Sequence, residues 1–426
     1  MRRVGRRLDL VDPPSQPRPI VNAHRLLLGA VLMPFALVRA QPASEPALFA
    51  PEVDAKTDSI RTELRGTKPD PGKAKMWVDF SAIDAPKSVD EFQRLWHQPP
   101  VCQGLSGMCW CFSTTSFLES EAQRISGRQL HFSVLHTVYW EYVEKAREFV
   151  RTRGKSAFGE GSQSAAVLRA WRTYGVVPAE AYTGLRNGAT NYDHEATVFA
   201  EIRKYLEGLR ATGAWAEEPA LAQVRGLLDF HLGAPPATVT VEGRALTPRQ
   251  YLTEVARLNP DDYVALVSFL DQPRWQSIEY PVPDNWWHGR EYWNVPLADF
   301  TGAFKAALRQ GFSVVIAADI SEPGYSIGPP GLAVVPAWDI PSAAIDERAR
   351  QFRFGNGTTA DDHALHVVGS LERQGKDWYL LKDSWGSAWN NAHPGYYFCH
   401  EDYVKLKVLA FMVHKDAVAG LLSRTK

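Results

Sequence analysis

Cys109 stands in Gln103-Gly-Leu-Ser-Gly-Met-Cys109-Trp-Cys-Phe-Ser, where a glycine-bearing loop runs into a helical apolar period. A helix N-terminus carries about half a positive charge, which favours a thiolate over a thiol and so makes a nucleophile. Gln103, six residues earlier, brings a side-chain amide that can curl back as an oxyanion donor. A cysteine alone is more often a small buried hydrophobe, so its partners decide. His363 opens the apolar run Asp362-His363-Ala-Leu-His-Val-Val-Gly, and twenty residues on, Lys382-Asp383-Ser384-Trp385-Gly386 closes the next one. A base and an orienting carboxylate on adjacent strands would complete a nucleophile–base–orienter relay. Cys102, Cys111 and Cys399 read as buried thiols, or as one disulfide and a spare. His366 reads as structural, because three residues along a strand turns it to the opposite face. His393 and His400 read as surface residues. No metal site and no cofactor is expected.

The elements that must position this relay change character along the chain. Phe112, Phe117, Leu118, Ala122 and Ile125 recur at helical steps up to Gly127, and Ser133 caps a second helix carrying Leu135, Val138, Tyr139 and Tyr142. Further helices are expected over 164–173, 193–211, 217–231, 248–258 and 297–310. After Phe312 the apolar runs become short and β-branched or aromatic, as strands are. The fold class expected is therefore α+β, mainly helical over 76–310 and strand-rich over 311–416, with a tail at 417–426.

Composition narrows the function classes. With 45% hydrophobic and 22% charged residues the chain is globular. A net charge of −1 gives no electrostatic case for a nucleic-acid partner. Four cysteines in 426 residues form no disulfide framework, and their spacing is not that of a zinc site. Leu26 to Val38 is an apolar run too short for a membrane span of about 20 residues, and its length suits a secretory signal cleaved after Ala40. Residues 1–40 are thus expected to be removed, the protein to be secreted or periplasmic, and no membrane span to remain. The Pro-rich, charged stretch 41–75 reads as a flexible tether or short leader.

Taken in order, Q-G-x-S-G-x-C-W-x-F-S, D-H-A-x-x-x-V-G and K-x-S-W-G resemble the papain-like cysteine peptidases. Tyr139 to Ala146, Tyr174 to Pro178, Asp261 to Val264 and Tyr292 to Pro296 resemble the branch containing bleomycin hydrolase and aminopeptidase C. The likeness runs from about residue 76 to 416. It implies a helical lobe and a β-barrel-like lobe with a cleft between them. It also implies Cys109 as nucleophile, His363 as base and acid, and Gln103 with the Cys109 amide as oxyanion hole. Gly161 and Ser162 fall where the family binds substrate backbone, and Trp385 would shield the His–orienter bond. Three departures stand out. The Cys–His separation exceeds the usual ~130–150 residues, as an insertion shared with the aminopeptidase C branch would explain. Ser106 replaces a cysteine that is usually disulfide-bonded. Asp383 replaces the usual Asn, which should favour imidazolium and hold the His363 proton to higher pH.

The substrate expected is a peptide or protein, attacked through an acyl-enzyme. Two other classes share features of the motif: a transglutaminase-like acyl transferase, which also uses Cys–His–Asp, and an inactive binding protein that kept the fold. The aminopeptidases of the resembled branch place a C-terminal arm in the cleft. Here Arg424 and Lys426 beside the terminal carboxylate would repel a substrate ammonium, so an open cleft accepting internal bonds is expected.

Overall fold

The computed structural model describes residues 45–67, 73–186 and 188–425. The signal-peptide segment 1–40 lies outside them.

Residues 45–67 and 73–75 are not a tether. Strand β1 (Ala47–Pro51) pairs antiparallel with β2 (Ala74–Val78). Between them, helix α1 (Ala55–Arg65) starts at Asp54, whose carboxylate accepts the Thr57 N–H, and ends at Gly66 in the left-handed region. The stretch carries no long apolar period because it packs by polar clips. Asn390 accepts the Lys56 N–H at 3.0 Å and donates to Asp54 at 2.9 Å. Arg65 forks onto Asp193. Helix α1 thereby sits on the turn that follows Trp385. A Cβ added at Gly386 would lie 2.2 Å from Thr57 Oγ1 and 3.1 Å from Thr57 N. Gly386→Ala should therefore cost about 1–3 kcal/mol, with Thr57→Ala restoring part of it. Thermal unfolding of the single and double variants checks this, and an unchanged midpoint in Gly386→Ala would break the contact.

After a two-residue strand β3 (Gln93–Arg94) come three long helices, α2 (Cys109–Ser126), α3 (Val134–Arg151) and α4 (Ser164–Tyr174). The Ser133 hydroxyl caps α3 by accepting the His136 N–H at 3.0 Å. Helices α5 (Val198–Thr212) and α6 (Glu217–Leu232) follow, then a hairpin of β4 (Val239–Val241) and β5 (Arg244–Leu246). The helix expected over 248–258 is one α-turn, α7 (Pro248–Gln250), continuing as a π-helical turn over Tyr251–Ala256.

The main sheet is not confined to the residues after 310. Strands β6 (Tyr263–Val267), β7 (Gln276–Ile278) and β8 (Tyr292–Asn294) precede helix α8 (Leu297–Arg309), yet belong to the main sheet. That sheet continues with β9 (Val314–Ala318), β10 (Leu332–Ala333), β11 (His363–Arg373) and β12 (Lys376–Lys382). It is completed by β13 (Tyr396–His400) and β14 (Val408–His414). Helices α9 (Glu347–Gly355) and α10 (Glu401–Lys407) lie in the connections. The order is β10-β13-β12-β11-β9-β14-β6-β8-β7, with β3 added on β11. Its two ends stay apart, so among the described residues the sheet is open and the barrel-like closure expected of it is not found. Tyr263-Val-Ala-Leu-Val is a short buried run directly after helical sequence, and its pairing with β14 on one side and β8 on the other makes it a strand.

Helix α2 packs against β11, the contact that brings nucleophile and base together. One core lies on the α2–α3–α4 side of the sheet, around Trp110, Phe117, Tyr142 and Trp171. A second, around Phe300, Phe304, Phe411 and Tyr397, joins α8 to the sheet.

Candidate active site

Cys109 is the first residue of α2, an eighteen-residue helix whose cap Met108 offers no side-chain acceptor. The Cys109 N–H belongs to the first turn, which a helix leaves without internal partners. His363 is the first residue of β11, paired opposite Ala318 of β9. Asp383 directly follows β12, the other neighbour of β11. Three separate elements therefore place the three groups: Cys109 and His363 line one cavity of about 290 Å3 together with Gln103 and Trp385, and Asp383 backs His363 without lining that cavity.

His363 Nε2 lies 2.7 Å from Asp383 Oδ1, with both side chains almost wholly buried at 3% and 0% exposure. With Nε2 so engaged, Nδ1 is left for Cys109. Burial disfavours a charged His363, but the Asp383 carboxylate and the Cys109 sulfur outweigh it and hold the imidazolium well above the usual histidine range. Asp383 is itself fixed by two further donors. The Trp385 N–H reaches Oδ1 at 2.9 Å and the Tyr325 hydroxyl reaches Oδ2 at 3.0 Å. Tyr325 is fully buried, with its ring centroid 4.3 Å from that of Tyr397.

Gln103 is held from both ends of its amide. Its Oε1 accepts the Ser384 hydroxyl at 2.6 Å, and its Nε2 donates to the Ser106 carbonyl at 2.6 Å. One amide proton remains free beside the cavity. The Gln103 N–H also reaches the Ser384 carbonyl at 2.8 Å, so the oxyanion loop is clipped to the residue after Asp383. Ser106, in the place of the absent disulfide, returns a hydrogen bond to the Gln103 carbonyl.

Gly161 and Ser162 are not brought into this cavity. The Ser162 hydroxyl is buried on Glu141 at 2.7 Å, and the Gly161 carbonyl accepts from Lys145. The glycine is required by close approach, because a Cβ there would lie 2.2 Å from Asp284 Oδ2. Glu52 and Lys75, from the stretch read as a tether, line the catalytic cavity together with Trp77. Cys102, Cys111, Cys399 and Cys109 are all free.

Three residues escaped sequence reasoning. Ser384 lay inside a quoted motif but had no role. Tyr325 comes from a stretch with no period, so nothing local marked it. Glu160, within Gly-Glu-Gly-Ser, accepts the Gly107 N–H at 2.7 Å, two residues before Cys109, while its Oε1 is buried without a partner. Burial raises its pKa to about 7, against the opposing pull of the Gly107 hydrogen bond. A carboxyl raised in the folded state stabilises the fold while protonated, and that stability fades as pH climbs from about 4.5 through 7. Glu160→Gln keeps an acceptor for Gly107 and cannot ionise. Relative to it, the parent should lose up to about 3 kcal/mol across this window. Urea unfolding at its two ends measures the difference, and parallel pH profiles would contradict it.

The family model described as Peptidase C1-like family matches residues 86–424. The chain belongs to that family. It is a papain-like cysteine peptidase by membership. Among solved structures, PepW from Lactobacillus rhamnosis HN001 aligns at 19% identity with a TM-score of 0.62, over 78% of this chain and 83% of that one. At that identity the likeness shows the fold. Digestive procathepsin L 3 of Tenebrio molitor larval midgut aligns at 14% identity with a TM-score of 0.36, over 79% of this chain and 72% of that one. A sequence comparison with curated proteins finds no match.

Proposed function

We propose that this papain-like peptidase hydrolyses peptide bonds with Cys109 as nucleophile, His363 as proton carrier and Asp383 as its orienting partner. The buried 2.7 Å His363–Asp383 pair beside a helix-initiating cysteine carries the reading. The Cys109 thiolate attacks the peptide carbonyl, and the negative oxygen that forms is met by the free Gln103 amide proton and the Cys109 N–H. His363 then gives its proton to the leaving amine as the carbon–nitrogen bond breaks, leaving a thioester. Neutral His363 takes a proton from water, hydroxide adds to the thioester, and the thiolate is expelled as the acid leaves, which restores the thiolate–imidazolium pair. Trp385, on the cavity wall, keeps water from the His363–Asp383 bond. The reacting groups face each other across a cleft, nucleophile on the helical side and base on the sheet side, in the two-lobed manner of papain-like enzymes.

Internal bonds are the substrate in this reading, and the C-terminal tail supports it. Arg424 is tied to Asp299 at 2.6 Å and lies 3.8 Å over the Trp275 ring, while Leu421 and Leu422 pack on the second core. Among the described residues, none after Ser387 lines the catalytic cavity. A peptide and its N-acetylated twin should therefore be cut at similar rates, and truncation after Leu422 should not change their ratio. Acetylation that blocks cleavage in the full chain, relieved by truncation, would instead make the tail a substrate-binding arm. The upstream Gln103 and the Ser384-Trp385-Gly386 turn favour hydrolysis over transglutaminase-like transfer. Export completes the proposal: N-terminal sequencing of secreted material should begin near Gln41, and a chain retained in the cytosol would contradict it.

A further inference from the structure

A second cavity, of about 570 Å3, adjoins the catalytic one, and Glu52, Trp77 and Ile327 line both. One wall is the β1–β2 hairpin. Leu48 pairs opposite Trp77 and Ala50 opposite Lys75, and residues opposite each other in an antiparallel pair share a face. That shared face is turned to the groove, which Leu48, Ala50 and Trp77 line, while Phe49 on the other face is 74% exposed. The second wall is the loop from Ser326 to Pro330. Both strands precede residue 86, where the family match begins.

The hairpin is fastened to the body of the protein, so the groove exists before any ligand arrives. The Val78 N–H donates to the Pro323 carbonyl at 3.1 Å, and the Glu45 carboxylate accepts the Ala337 N–H at 2.8 Å. A preformed surface spends less of its binding free energy on ordering. The lining is mainly apolar, with Leu48, Phe80, Ile327, Pro329 and Pro330 beside the Trp77 ring. The Trp77 indole N–H is already used on the Ala50 carbonyl at 3.1 Å. At the junction of the two cavities Glu52 is paired with Lys75, so neither leaves an uncompensated charge there. The side of the scissile bond follows from the base. His363 protonates the departing amine, so the leaving half of the peptide exits past His363. Ile320, Ser321, Tyr325 and Ile327, from the chain after β9, line the catalytic cavity with His363, and the groove opens from the same chain.

We propose that the β1–β2 hairpin is a specificity element: its groove holds the leaving half of the peptide and selects an apolar side chain beyond the first residue after the cut bond. The inference rests on the peptidase reading. The test uses peptides that share one acyl half and one cut bond, with a single Leu moved through an otherwise all-Ser leaving half. A coumarin amide of the same acyl half, which has no leaving peptide, serves as reference. Leu at the second, third or fourth position should raise kcat/KM by about tenfold over Ser, and Leu at the first should not. Trp77→Ala should reduce that gain to less than about threefold, and so should Leu48→Asp, a change at an exposed position that leaves the bracing of the hairpin intact. Cleavage of the coumarin amide without such a gain, or a gain that both variants leave untouched, would overturn the inference while the peptidase reading stands. No cleavage of any of these substrates would overturn both.

Discussion

Cys109→Ala should lower kcat/KM for peptide hydrolysis by about 10^4-fold or more, because no other group in the cavity can form the thioester. Cys111→Ala should keep most of the activity. Two residues along a helix is about 200° around its axis, so both thiols cannot face one cavity. Cys111 is instead completely buried, with its sulfur directed to the Val134 carbonyl and the Thr115 hydroxyl, and burial pushes its thiol far up. The pair of variants is measured under identical conditions with one peptide substrate. An active Cys109→Ala protein beside a dead Cys111→Ala protein would reverse the assignment.

His363→Ala should be about as damaging, since neither the thiolate pair nor the protonated leaving amine survives without it. Asp383→Asn is the informative contrast. Asparagine keeps an oxygen for His363 Nε2 and the Trp385 N–H, but its amide would face the Tyr325 hydroxyl, which now donates to Oδ2. That hydroxyl must turn its proton elsewhere in a buried site, so a loss of about tenfold is expected rather than abolition. The sign of the pH effect is fixed. The active form needs His363 protonated, so activity falls as pH rises through its pKa. Removing the Asp383 charge lowers that raised pKa, and the upper limb of the kcat/KM profile moves down. Tyr325→Phe should leave that charge in place with one donor fewer, and so should not move the limb down. An upper limb unchanged by Asp383→Asn would remove the contact from the mechanism.

What could be read from the sequence follows the range of each interaction. The helices over 109–126 and 134–151 were legible because apolar spacing and the Ser133 cap are local signals. The Cys109, His363 and Asp383 motifs were legible because each opens or closes one element. Strands β6 and β8 were not, since five and three residues carry too little period to outweigh helical surroundings. Residues 45–67 looked like a tether because polar clips to Asn390 and Asp193 hold them, and such partners lie more than a hundred residues away. Tyr325 was invisible for the same reason: its partner, Asp383, is remote in sequence. Gly161 and Ser162 were placed by resemblance alone, and their surroundings here, Asp284 and Glu141, come from positions that the resemblance did not specify.

One measurement tests the central claim most directly: the intact mass and mapped site of the adduct after treatment with an epoxide-type thiol trap. The account predicts one adduct, on Cys109, with Cys102, Cys111 and Cys399 unmodified, and slow labelling of Cys109 once His363 is replaced by alanine. Burial raises the thiol pKa of Cys102, Cys111 and Cys399, whereas the trap needs a thiolate. An adduct on any of those three, or an unmodified protein, would contradict it.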